Sequence, residues 1–107
     1  MINGPIIGRK WAIRHKASGF YLPEGIGYQG RGTTFREPAY GEEPKLYNTL
    51  AGAKRGLTAW LQGKHFTHYA YEDGYKYAIG TQIIAEPHRK REHMEIVEVH
   101  LIPQLPR

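Results

Sequence analysis

Six histidines and ten carboxylates are the side chains with which this chain could do acid–base or metal chemistry. His65 and His68 stand three residues apart, and His88 and His93 flank the basic run Arg89-Lys90-Arg91. A zinc site needs three or four ligands that converge. On a strand, a spacing of three puts two imidazoles on opposite faces, so these read as surface or hydrogen-bonding histidines. General acid–base pairs could be drawn from Glu42, Glu43, Glu72, Asp73, Glu92, Glu95 and Glu98. Each has a simpler reading: Asp73 as a turn residue, Glu98 on the outward face of a strand, Glu92 and Glu95 as partners of the Arg89–Arg91 tip. No nucleophile, base and orienting group stand in a recognisable pattern, and the chain is expected to be no enzyme.

Gly25-Ile26-Gly27-Tyr28-Gln29-Gly30 matches G-x-G-x-x-G. A dinucleotide site needs a strand before that motif and a helix opening within it. Here Pro23 precedes it and no helical period follows, so the match reads as coincidence in a glycine-rich loop, and no cofactor is expected. The chain has no cysteine, which excludes disulfides and thiolate metal sites.

The interleaving of basic and aromatic residues carries more. Lys64-His65-Phe66, Tyr75-Lys76-Tyr77 and Gly30-Arg31-Gly32 are the makings of a surface on which rings stack on bases while cations follow phosphates. The candidate binding surface is Arg14, Lys16, Arg31, Tyr75, Lys76, Tyr77, Arg89, Lys90 and Arg91. The net charge of +5 suits a polyanion or an acidic protein surface, and equally suits simple solubility.

These residues must be positioned by the elements of one small domain, 1–107. Leu50, Ala53, Leu57, Trp60 and Leu61 fall at helical spacing, and predict a helix over about 49–62. Asn48 or Thr49 can cap its start and Gly63 can end it. Gly52 and Gly56 share one face of that helix, which implies close approach to a sheet or a loop. Trp11 and Ile13 with Phe20 and Leu22 predict a hairpin over 10–23 that turns at Ser18-Gly19. Residues 24–44 read as a long Gly/Pro-rich loop, pinned to the core by Ile26, Tyr28, Phe35 and Tyr40. Asp73-Gly74 is a hairpin turn dipeptide. Thr81–Glu86 is expected to pair with the last strand, Met94–Ile102, which also has the Trp11 strand as a possible neighbour; residues 103–107 form a tail. The resulting expectation is an α+β fold: one antiparallel sheet of four to five strands, covered on one face by a single helix. No apolar run is long enough to span a bilayer, no signal peptide is expected, and the chain is expected in the cytoplasm with no membrane partner.

Three segments together resemble a family of small tailed-bacteriophage and prophage proteins. They are Trp11-Ala12-Ile13-Arg14-His15-Lys16-Ala17-Ser18-Gly19 through Leu22-Pro23, then Lys45-Leu46-Tyr47 with Ala53-Lys54, Leu57 and Trp60-Leu61-Gln62-Gly63, then Arg89-Lys90-Arg91-Glu92 through Met94-Glu95-Ile96-Val97-Glu98-Val99. The resemblance implies a phage-derived protein acting in a bacterial cytoplasm, and transfers no functional residue. Such proteins commonly work by binding. The first reading is a non-enzymatic inhibitor or modulator of a host or phage protein, with loop 24–44 and exposed tyrosines as its contact surface. The alternative is a nucleic-acid binder using the basic–aromatic face. A phage structural or assembly protein is a third reading, which no heptad or repeat supports. The sequence leaves the oligomeric state open.

Overall fold

A computed structural model describes residues 8–25 and 33–103. Its elements are β1 (Gly8–His15), α1 (Leu50–Gln62), β2 (Lys64–Glu72), β3 (Tyr75–Ile84) and β4 (Met94–Leu101), with single 3₁₀ turns at Thr33–Phe35 and Arg91–His93. The class is α+β, as the sequence implies. The strands form two separate antiparallel pairs, β1 with β4 and β2 with β3, rather than one sheet of four to five strands.

The helix forms where its caps dictate. The Thr49 side chain accepts a hydrogen bond from the Gly52 amide, and Gly63, at φ 128°, ends the helix with its amide bonded to the Trp60 carbonyl. A side chain at Gly63 would meet the backbone at Ile84 and Ala85, the carbonyl carbon of Ile84 lying at 2.7 Å. Only glycine lets the chain pass there from α1 into β2. Ala53, Leu57 and Trp60 are buried on the inner face of α1. Leu50, placed in the same stripe by periodicity, is 42% exposed, because it opens the first turn beyond the edge of the core.

β1 packs against α1. Ile13, Leu22, Leu57, Trp60 and Met94 form the core, with Tyr47, Leu61 and Ile96 half-buried against them. The 10–23 hairpin is short. The His15 amide bonds to the Phe20 carbonyl at 2.8 Å and the Leu22 amide to the Ile13 carbonyl at 2.9 Å. Leu22 is buried as expected, but Phe20 lies at the surface against Tyr40. On the same edge of β1, Trp11 and Tyr47 exchange both backbone hydrogen bonds, at 2.9 and 2.8 Å. Further single bridges join Tyr21 to Ala39 and Pro23 to Pro44. The described parts of segment 24–44 are thus threaded along the sheet edge. Phe35 pins this segment by stacking edge-on to Phe66 at 4.6 Å. Ile26, Tyr28 and most of the G-x-G-x-x-G match lie outside the described residues.

Residues 81–84 belong to β3 and pair with β2, not with the last strand; β4 pairs with β1 over its full length, from Gly8 opposite Leu101 to His15 opposite Met94. The turn Asp73-Gly74 makes the difference. Both residues have positive φ, 50° and 80°, as a two-residue type I′ hairpin requires. That tight turn sets β2 directly against β3.

Candidate functional site

Two features stand out: an exposed β-arm and a pocket beside the basic run. The arm is β2–β3. Beyond its base near Gly63 it packs on little, and all ten residues of β3 are exposed. Nine residues of strand carry its tip roughly 30 Å from the base. A register shift between His68 and Tyr69 leaves Ile79 as an extra residue on β3. This bulge reverses the alternation along β3. Tyr75 and Tyr77 therefore share a face with Glu72, while Tyr69 and Tyr71 share the other with Lys76. Tyr77 donates to Glu72 at 3.3 Å, and Lys76 sits 4.0 Å over the Tyr69 ring. Both faces thus carry tyrosines, with Tyr71 and Tyr75 about three-quarters exposed, and Ile79 is 61% exposed.

The pocket lies at the His15 end of β1, with a volume of about 250 Å³. It is built around Arg89, whose side chain has no solvent exposure. The Arg89 Nε donates to Glu37 Oε2 at 2.9 Å and Nη1 to the Trp60 carbonyl at 2.9 Å. Nη2 lies 2.5 Å from the same carboxylate oxygen but makes no well-directed hydrogen bond. The guanidinium also stacks 4.4 Å over the Trp60 ring, whose Nε1 donates to the Arg36 carbonyl at 2.8 Å. The last turn of α1 contains no basic residue. Arg89 supplies the cation that its carbonyl end favours. Glu37 spends its second oxygen on His88 Nε2.

His15, Ser18, Lys90 and His93 line the pocket as well, with the apolar Pro38 and Met94 beside them. His15 Nδ1 accepts from the Ser18 amide at 3.2 Å and lies 2.8 Å from the Ser18 hydroxyl, which itself accepts from the Phe20 amide at 3.1 Å. The His93 ring stands edge-on to His15, 6.3 Å between centroids. The Lys16 amide bonds to the His93 carbonyl at 2.9 Å, tying the β1 turn to the 89–93 loop.

The structure distributes the sequence-predicted residues over several regions. Arg14 lies on β1, ion-paired to Glu95 at 2.5 Å, a hydrogen bond that raises its pKa further. Lys16 is exposed at the turn beside the pocket. The basic run divides: Arg89 turns into the core, Lys90 lines the pocket, and Arg91 reaches the Thr58 hydroxyl on α1 at 3.3 Å. Tyr75, Lys76 and Tyr77 sit together near the tip of the arm. Arg31 lies outside the described residues. The sequence reading missed His15, Ser18, Glu37 and Trp60 as neighbours of the basic run; the only local signal is His15 and Ser18 at turn spacing.

Neither histidine of the 65/68 pair is free: His65 Nε2 meets the Ala59 carbonyl at 2.9 Å and His68 Nε2 meets Gln82 at 2.9 Å. Among the described residues no three His, Asp or Glu side chains converge on a metal position, and no helix is long and apolar enough to cross a membrane. No protein-family model, no curated protein and no solved structure matches this chain.

Proposed function

We propose that this chain is a non-enzymatic binding protein that docks the β2–β3 arm onto a partner protein and thereby inhibits or modulates it. The observation that carries this reading is the exposure of every residue of β3, with Tyr71, Tyr75, Tyr77 and Ile79 displayed around one arm. A two-stranded hairpin gains little stability alone in water, and tyrosine is a preferred anchor of protein interfaces. The resemblance to phage proteins makes a host or phage protein the expected partner, in a bacterial cytoplasm.

Charge favours protein over nucleic acid as the arm's target. Along 64–84, Lys64 and Lys76 are balanced by Glu72 and Asp73, and the two acids sit at the tip. Elsewhere Arg9, Arg14, Lys45 and Arg89 are held by Glu98, Glu95, Glu24 and Glu37. A nucleic-acid face would need such cations free for phosphates.

A tagged pull-down from bacterial lysate, with and without nuclease, tests the reading. The expected result is one protein retained after nuclease by the wild type, and lost with the Tyr71→Ser/Tyr75→Ser variant. Recovery that vanishes with nuclease, or falls steeply with salt, supports the nucleic-acid alternative instead.

A further inference from the structure

The pocket walled by His15, His93 and Lys90 has an excess of donors that the fold itself does not consume. Its carboxylate, Glu37, has one oxygen on His88 and the other on Arg89. The Ser18 hydroxyl is used within its own turn. Because His15 Nδ1 accepts from the Ser18 amide, neutral His15 carries its proton on Nε2, and that donor has no protein partner among the described residues. The same holds for the polar atoms of the His93 ring and the Lys90 side chain, although both residues line the cavity. Buried beneath them, Arg89 is spent on Glu37 and the Trp60 carbonyl.

We propose that this pocket binds a phosphate group. Three single-point donors arrive from two places in the chain: His15 at the end of β1, and Lys90 and His93 at the two ends of the 90–93 turn. A planar carboxylate is best read by the fork of an arginine, and the one arginine here is committed to Glu37. Separate imidazole and ammonium donors suit a tetrahedral anion whose oxygens point in different directions. A cavity of about 250 Å³ admits a phosphoryl group and leaves room for what carries it. Lys16, exposed at the adjoining turn, adds a further positive charge near the mouth. This site is distinct from the arm and does not depend on what the arm binds.

The test is a titration of the whole protein with sodium phosphate against sodium chloride at matched ionic strength, read by the ring-proton NMR signals of His15 and His93. The expected result is saturable movement of both signals with phosphate alone, half-complete at about 1–10 mM. Lys90→Ala and His93→Ala are each expected to weaken binding about tenfold or more. Lys54→Ala, on the outer face of α1, is expected to leave it unchanged, and circular dichroism checks that each variant is folded. A nucleoside 5′-monophosphate added in a parallel arm assigns the source: tighter binding than phosphate points to a nucleotide, equal binding to free phosphate. Signals that move equally in chloride, or a Lys90→Ala/His93→Ala double variant that responds like the wild type, overturn the proposal.

Discussion

Tyr47 lies across the Gly56 face of α1 so closely that a methyl group at Gly56 would sit 2.6 Å from the ring carbon Cζ and 2.8 Å from Cε1. The ring cannot withdraw easily, because its backbone exchanges two hydrogen bonds with Trp11. Gly56→Ala would gain roughly 1 kcal/mol of helix propensity at an unconstrained site. Here overpacking is expected to win, with a net loss of about 1–2 kcal/mol. Urea denaturation measures it. A stabilised Gly56→Ala variant would mean that the helix and the Tyr47 segment are not in contact.

Burial raises the Tyr47 pKa above its ordinary value near 10, against the opposing effects of a hydrogen bond with Thr33 and the charge of Lys45. The folded state therefore holds the phenol proton to higher pH than the unfolded chain does. The contribution to stability is complete below the unfolded value and is lost as pH rises through the folded one. Stability is expected to fall above about pH 10, and Tyr47→Phe is expected to remove that part of the decline. Denaturation at pH 9 and pH 11 for both proteins checks the difference.

Arg89 and Glu37 are unequally buried, and the inequality sets the sign of a comparison. The Arg89 side chain has no solvent exposure, whereas Glu37 is 44% exposed. Glu37→Ala strands a buried cation and is expected to cost about 3–5 kcal/mol. Arg89→Met leaves a carboxylate that water can reach, and is expected to cost less, about 2–3 kcal/mol. The double variant is expected to lose clearly less than the sum, since the two act as one pair. Equal and additive losses would show that the pair is not coupled.

Trp60 joins three parts of the molecule: its ring lies in the core, its Nε1 holds the Arg36 carbonyl, and its face carries Arg89. Trp60→Ala is expected to cost about 3–5 kcal/mol. A loss below 1 kcal/mol would contradict the placement of this helix face.

The helix was legible because its signals agree. The Leu57–Trp60–Leu61 stripe, the Thr49 cap, the Gly63 stop and even the purpose of Gly56 follow from residue types at helical spacing. Asp73-Gly74 announced the arm's turn in the same way, since only a few residues tolerate two positive φ values in succession. The division into two sheets was not legible. Tyr75-Lys76-Tyr77-Ala78-Ile79 alternates like a half-buried strand, and nothing local says that no element covers either face. The bulge at Ile79 conceals the pattern further by reversing it midway. Arg89 was hidden for a different reason. Three consecutive cations read as a solvated tip, and only the distant Glu37 and Trp60 explain why the first of them turns inward.

Loss of an arm side chain should spare the fold. Ile79→Ser and Tyr75→Ser are each expected to change stability by less than about 0.5 kcal/mol, as exposed positions do. Matching urea midpoints against the wild type would verify this, and a large loss would place these residues in the core.

The most direct test of the arm as the docking element is amide hydrogen exchange, measured on the free protein and again on the complex with the protein it captures. The free arm is expected to exchange fast over 69–80, while Ala53–Leu61 is strongly protected. In the complex, protection is expected to rise along Tyr75–Ile84 and to leave α1 as it was. Protection that rises only at 15–20 and 88–93, with the arm still exchanging freely, would contradict the account.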